Sequence, residues 1–424
     1  MKLAPHQGVP KLPRVVHACC LLVAIVASLF AVKALSGVSW FVALAILAAA
    51  LALPATVDLA LSPFARGRKR RPDTRLAIIG DAGVGKRLRN DLDRGPSRYV
   101  FVGRIAMPGD HSSTSMEPLA ALRELRDALV EHEIQLLILS PSASREKVFD
   151  ELVRNCLDLP VQVVELSYFY EAVFGYVPIS EMKAVWFQYL LDPSSRFPHP
   201  LAKRAIDLLG TLIIGLPALP VCGILMLLIR RDGGPGFFRQ TRIGEGGRPF
   251  ELYKLRTMRP SSDSSAQWAA TDDPRVTSIG RFMRRTHLDE LPQLLNVLRG
   301  EMSLVGPRPE QPAFVERLER EVPFYQRRHL IRPGISGWAQ VRCGYTRSDA
   351  GSVWKHCHDL FYLKHRSMGL DLWILTKTAG LILLGLVRGG DEITLSAIPL
   401  ETLASPKPTV IEPARLVAGA ERQS

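Results

Sequence analysis

The sequence predicts a membrane-bound α/β protein in three parts: an N-terminal transmembrane helical hairpin, a parallel α/β domain, and a further α/β domain that opens with a re-entrant membrane helix. Three observations predict it. Two long apolar runs lie near the N-terminus, apolar β-rich stretches then alternate with helix-length intervals, and a third apolar run is broken by prolines and flanked on both sides by basic residues. At 424 residues the chain also exceeds the size at which one hydrophobic core keeps growing.

Val15 to Val32 and Val38 to Leu61 are almost wholly apolar, and each as helix spans roughly 30 Å of hydrocarbon. They predict a hairpin within residues 1–72. A cleavable signal peptide competes with this, but the second run follows at once and no small-residue cleavage site separates the two. Lys2, Lys11 and Arg14 precede the first run, and Arg66, Arg68, Lys69, Arg70 and Arg71 follow the second, while the turn carries only Lys33. The positive-inside rule then puts both ends in the cytoplasm.

Within residues 73–192, β-rich stretches recur at Arg75 to Gly80, Tyr99 to Ile105, Gln135 to Ser140 and Val161 to Leu166. Their alternation with helix-length intervals predicts a parallel sheet. The first strand runs into Gly80, Asp81, Ala82, Gly83, Val84, Gly85 and Lys86, which meets the glycine and lysine positions of a phosphate-binding loop. Arg87 stands where that loop needs Ser or Thr for magnesium, so nucleotide hydrolysis is disfavoured. The same glycines resemble a dinucleotide-binding turn, which makes the domain Rossmann-like, yet nothing marks a hydride-transfer site.

The region 193–388 opens with the apolar run Ala205 to Ile229. Lys203 and Arg204 sit before it, Arg230 and Arg231 after it, and Pro217 and Pro220 interrupt its middle. Both flanks favour the same side of a membrane, and proline disrupts a helix interior, so the run is expected to enter, bend and return. An ordinary kinked span is the competing arrangement, and it would place the domains before and after it on opposite sides. Near the end, Asp371 to Val387 is apolar around Lys377 and is expected to lie along the interface, and residues 389–424, rich in Pro, Ala and Glu, are expected to be disordered.

A formal net charge of +13 points to phosphate-bearing partners, but the chain lacks the stacked aromatics and basic helices of a nucleic-acid reader. Six scattered cysteines without a CxxC pair argue against a disulfide framework or zinc ribbon, and adjacent His356, Cys357 and His358 cannot easily close on one metal. The chemistry concentrates elsewhere. Arg281, Arg284 and Arg285 precede the carboxylates Asp289 and Glu290, which as neighbours on a helix project about 100° apart and cannot act as two facing acids. Different roles follow: one carboxylate attacks or accepts a group, the other holds a hard cation such as magnesium. Gly306, Pro307, Arg308 and Pro309 fix an arginine between prolines, which lowers the entropy lost on binding phosphate. Lys254 and Arg256, on an expected strand after the glycine-rich turn at Gly233 to Gly236, would share a face, with Arg239 and Arg242 upstream.

The segments KRAIDLLG, FFRQTRIGEGGRPFELYKLRTM, RRTHLDELPQLLNVLRGEMSLVGPRP and RPGISGWAQV, in this order from Lys203 to about Gly385, resemble the bacterial sugar transferase family, the monotopic phosphoglycosyl transferases. The hairpin and α/β domain resemble those of its longer members. The resemblance implies transfer of a hexose-1-phosphate from a UDP-sugar, glucose or galactose being the expected hexose, to undecaprenyl phosphate, with UMP released. The implied setting is the first membrane step of exopolysaccharide, O-antigen or lipopolysaccharide synthesis, at the cytoplasmic face of the bacterial inner membrane. It further implies Asp289 as nucleophile forming a covalent phosphosugar intermediate, Glu290 as ligand of a magnesium cofactor, and Arg284, Arg308, Arg256 and Lys254 as phosphate or substrate contacts. Pro217 would be the break of the re-entrant helix. Leu216 departs from the Ser that many relatives carry there, and two N-terminal runs stand where many long members have four. A homodimer through the α/β domain is compatible with the sequence. Two other functions compete: a catalytically silent membrane scaffold for polysaccharide assembly, and a regulator that senses a nucleotide through Gly80 to Lys86.

Overall fold

The computed structural model describes residues 74–95, 98–106, 118–121, 125–141, 159–179, 186, 200–231, 234–259, 273, 275–343 and 349–387. The N-terminal hairpin and the tail from 389 lie outside them.

The α/β domain is a five-stranded parallel sheet of order β3-β2-β1-β4-β5. Its strands are β1 (Thr74–Ile79), β2 (Tyr99–Ala106), β3 (Pro118–Ala121), β4 (Leu136–Leu139) and β5 (Gln162–Glu165). Helices α1 (Ala82–Arg94), α2 (Leu125–Glu131) and α3 (Leu166–Val173) connect or follow them. Central β1 is apolar on both faces because helices or loops cover both, and Leu76, Ala77, Ile78 and Ile79 are fully buried. Helix α1 turns Val84, Leu88 and Leu92 toward the sheet at helical spacing. The four expected strands are present, and β3 is an addition. It is four residues long, begins with proline and sits at the sheet edge, where a missing N–H breaks no ladder.

The third region begins with α4 (Pro200–Arg230), the one helix among the described residues long and apolar enough to cross a membrane. Pro217 and Pro220 lie inside it, so the expected break is not an interruption of the helix; a proline costs one hydrogen bond and bends a helix without having to end it. Its middle is exposed, Leu219 by 67%, while Asp207 and Thr211 near its start and Leu225 and Ile229 near its end are buried. Both ends are tied to one folded unit. Lys203 Nζ lies 2.8 Å from Asp371 and 3.2 Å from Asp207, whose Oδ1 also accepts from Ser303 Oγ and Leu304 N. Leu225 and Ile229 join Leu255 and Met283 in a small cluster.

Beyond α4 come the antiparallel hairpin β6 (Phe237–Ile243) and β7 (Pro249–Leu255), then α5 (Ser278–Thr286), α6 (Gln293–Arg299), β8 (Ser303–Val305), α7 (Pro312–Glu321) and β9 (Gly334–Ser336). Three more helices complete it: α8 (Trp338–Cys343), α9 (Asp349–His365) and α10 (Met368–Val387). The hairpin turn places Gly246 and Gly247 at φ 68° and 75°, where a side chain would be strained. The sheet domain and this region share a core. Tyr176 stacks edge-on against Trp354 with centroids 4.5 Å apart, Trp338 Nε1 donates to Gly175 O at 2.7 Å, and Glu171 accepts from Trp186, Lys364 and His365.

Candidate active site

The site forms where α5 ends. Thr277 caps the helix start, its hydroxyl accepting from Gly280 N at 2.9 Å, and Gly280 lies so close to Thr257 that an added Cβ would stand 2.0 Å from the Thr257 carbonyl. At the other end His287 adopts the left-handed conformation, φ 57° and ψ 16°, which stops the α-helix. A single 3-10 turn, Leu288–Glu290, follows before Pro292 and α6. Asp289 and Glu290 therefore sit on a tight turn rather than on the helix expected from the sequence. Both are buried, and on such a turn neighbouring side chains diverge by about 120°.

Their surroundings differ. Glu290 accepts from Lys254 Nζ at 3.0 Å and from Arg308 at 2.5 and 3.3 Å, the latter a two-pronged contact. Burial alone would raise its pKa, but the Arg308 and Lys254 charges, with the Arg308 hydrogen bond, outweigh it and hold the carboxyl well below the usual range. The Asp289 carboxylate makes no hydrogen bond or ion pair among the described residues. Burial, then the charge of Glu290, push its pKa well above the usual range, against Lys254, Arg308 and Arg284. One carboxylate is thus clamped and held ionised at neutral pH, and the other, without a hydrogen bond, has raised basicity.

Long-range contacts place the two cations. Lys254 is carried by β7, whose edge away from β6 is pinned at two points by Asn296 on α6: Nδ2 donates to Glu251 O at 2.6 Å and Oδ1 accepts from Tyr253 N at 3.2 Å. Arg308 is carried by a strap folded onto β9. Gly306 N donates to Ser336 O and Gly334 N to Pro307 O, and a Cβ on Gly306 would lie 2.4 Å from Arg332 O. The glycines of GPRP and RPG thus permit one close backbone approach, which the separate motifs did not reveal.

The remaining candidates go elsewhere. Lys254 and Arg256 part company because β7 ends at Leu255: Arg256 is buried, and its Nη2 donates to Ile229 O at 3.0 Å, capping the last turn of α4. Arg284 Nε donates to Thr257 Oγ1 at 2.9 Å, and its charge reaches Asp289. Pro217 lies in the exposed part of α4, not among these residues. Arg242 donates to Pro309 O at 3.1 Å and lies 3.6 Å from Glu310. His358 bonds Trp354 O and Cys343, while His356 faces the Tyr325 ring. Sequence reasoning missed Asn296, Arg328 and Asp359: Asn296 lies within a quoted segment, but its role, like that of the other two, rests on partners distant in the chain.

Magnesium suits the donor set in part. Asp289 and Glu290 offer hard oxygens, and magnesium commonly takes one or two carboxylates and completes its shell with phosphate oxygens and water. Both Glu290 oxygens face cations here, so a divalent ion fits only together with an anionic substrate that balances them.

Residues 198–385 match the family described as bacterial sugar transferase. The chain is 40% identical over 246 residues to the UDP-N-acetylgalactosamine-undecaprenyl-phosphate N-acetylgalactosaminephosphotransferase of Aeromonas hydrophila, covering 56% of this chain and 56% of that protein. It is 33% identical over 310 residues to the UDP-glucose:undecaprenyl-phosphate glucose-1-phosphate transferase of Escherichia coli, covering 72% and 66%. It is 50% identical over 130 residues to the putative undecaprenyl-phosphate N-acetylgalactosaminyl 1-phosphate transferase of Bacillus subtilis, covering 30% and 72%. The matched stretch is thus short of two thirds of the length of the first two.

Proposed function

The chain belongs to the bacterial sugar transferase family, and from that premise we propose that it transfers a hexose-1-phosphate from a UDP-sugar to undecaprenyl phosphate with release of UMP. One observation carries the reading: adjacent buried carboxylates in opposite electrostatic states, Glu290 clamped by Lys254 and Arg308, Asp289 unpartnered.

In the first half-reaction an Asp289 oxygen attacks the sugar-bearing phosphorus of the diphosphate. The bond from that phosphorus to the bridging oxygen breaks, and UMP departs with the electron pair. An acyl phosphate joining Asp289 to the sugar phosphate remains. In the second, an oxygen of the polyprenyl phosphate attacks the same phosphorus, the bond to Asp289 breaks, and the carboxylate is restored as the lipid diphosphate sugar leaves. Raised basicity makes Asp289 a better nucleophile. Lys254, Arg308 and Arg284 supply positive charge beside the phosphates, where preorganised charge stabilises the transition state. Magnesium, when bound, would neutralise diphosphate charge, with Glu290 as its protein ligand.

Membrane attachment follows from α4. Both ends of this apolar helix are held by the same folded unit and its middle is exposed, which supports a helix that dips into the bilayer and returns. The carboxylates would then lie near the headgroup plane, where the polyprenyl phosphate is concentrated. With the cytoplasmic ends expected for residues 1–72, this is the cytoplasmic face of the inner membrane, and the product is an intermediate of exopolysaccharide or O-antigen synthesis.

The test is UMP release by the full-length membrane-purified protein from UDP-glucose, UDP-galactose and UDP-N-acetylgalactosamine, the last added because one relative carries it in its name and another carries the N-acetylgalactosaminyl group. Release from one donor that requires undecaprenyl phosphate for turnover, and magnesium, supports the reading. Silence across the panel from folded protein shifts the weight to a catalytically silent scaffold.

A further inference from the structure

The strap that carries Arg308 has four consecutive carbonyls, each met by a different donor. Pro307 O accepts from Gly334 N at 2.8 Å, and Glu310 O from Ile243 N at 3.0 Å. Between them the donors are guanidiniums: Arg328 Nη2 to Arg308 O at 2.8 Å, and Arg242 Nη1 to Pro309 O at 3.1 Å. Arg328 is buried, 5% exposed, and its other contacts are internal: Nη2 lies 3.0 Å from Asp359 Oδ2, and Nη1 donates to the Tyr325 hydroxyl. Asp359, on α9, is 2% exposed. Burying such a pair is costly, and the planar fork of arginine offsets part of that cost by donating to two oxygens, the Tyr325 hydroxyl and Arg308 O, while its charge lies against Asp359. Pro307 and Pro309 lack N–H groups, so donors to the strap must come from outside it.

We propose that Arg328, seated by Asp359, is a positioning residue for Arg308: it fixes the backbone from which the Arg308 guanidinium reaches Glu290. Arg242 does the same one residue later. Both guanidiniums are engaged by the protein's own backbone, Arg328 at Arg308 O and Arg242 at Pro309 O. The kinetic consequence rests on the transferase reading above; the structural one rests on the strap alone.

The test uses full-length protein in lipid nanodiscs. Arg328→Lys keeps the charge beside Asp359 but replaces the fork by one ammonium. It should lower kcat for UMP release about 10- to 100-fold, with KM for the UDP-sugar nearly unchanged, as misplacement of a reactive group does. Introduced into Arg308→Ala, the same change should cost less than about twofold more, because residues acting as a unit are not additive. An equal loss in both backgrounds would mark a merely structural role and overturn the proposal. Hydrogen exchange across residues 303–311 should quicken in Arg328→Lys and in Asp359→Asn while β1 keeps its protection. Unchanged strap exchange in both variants would also overturn it, whatever the activity. If the unaltered protein releases no UMP from any UDP-sugar, the transferase reading fails, and strap exchange still decides the positional claim.

Discussion

The parallel sheet and the region around the carboxylates both pack apolar cores, but the second adds a set of long-range charged pairs to it. In the sheet, β1 is buried on both faces and its neighbours pack Leu, Ile and Val around it, so cohesion comes from area removed from water. Around the site an apolar core also forms, with Leu252, Leu294, Val297, Leu304, Val305 and Trp338, but charged pairs at long sequence separation are added to it: Lys203 with Asp371, Glu290 with Arg308, Arg328 with Asp359. The first arrangement tolerates neighbours of similar shape; the second fixes particular atoms. Charge pairing is what fixes Arg308 beside Glu290, because apolar packing alone does not set the position of a guanidinium.

The contrast predicts that changes near the carboxylates alter turnover more than stability, and that changes in the sheet do the reverse. Asp289→Asn should abolish UMP release, by at least about a thousandfold in kcat, which is about 4 kcal/mol of barrier. Its melting temperature should be unchanged or higher at neutral pH. Asp289 has a folded-state pKa above its unfolded value, so its ionised form subtracts stability above both values, and the neutral amide removes that cost. A lowered melting temperature would break the contrast. Glu290→Gln should lose about a hundredfold in kcat and also about 2 kcal/mol of stability, since it leaves half-buried Arg308 and Lys254 without their anion. Its depressed pKa makes this contribution present at neutral pH and lost as pH falls through the folded value, so the stability gap to the unaltered protein should close in acid. Chemical denaturation at two pH values measures that.

In the sheet, Ile78→Ala should cost about 3 kcal/mol from lost burial and the cavity left behind, with kcat per folded molecule unchanged. A parallel loss of kcat would show that the shared core at Tyr176 and Trp354 transmits disturbance to the site. The smallest effect concerns pH. The acid limb of kcat/KM should lie above the ordinary carboxylate value of about 4, because Asp289 must be ionised to attack. Lys254→Met should move the limb further up, since the lysine charge lowers the Asp289 pKa.

Legibility in the sequence follows the same division. Four strands and α1 could be located because burial on a sheet imprints a local apolar pattern, whereas β3, short and led by proline, carries no such imprint. The carboxylate pair and the proline-flanked Arg308 were visible as motifs. The turn that separates Asp289 from Glu290 was not, because it depends on a left-handed His287, a conformation that glycine or asparagine usually signals. Arg256 meets Ile229 O at the end of α4 while Lys254 meets Glu290, a difference in partners that a shared position on a strand does not reveal. Arg328 and Asp359 gave no sign, since a pair 31 positions apart in the chain, joined across a fold, has no local pattern.

The contact between Lys203 and Asp371 bears on how the protein is made. It joins the first turn of α4 to the first turn of α10, so the region cannot close until nearly all of it has left the ribosome. The apolar α4 emerges long before its closing partner does, and exposed apolar segments of that length aggregate if they wait in water. On the membrane reading proposed above, delivery of α4 to lipid during synthesis would come first, with the late arrival of α10 completing the site around a helix already in place.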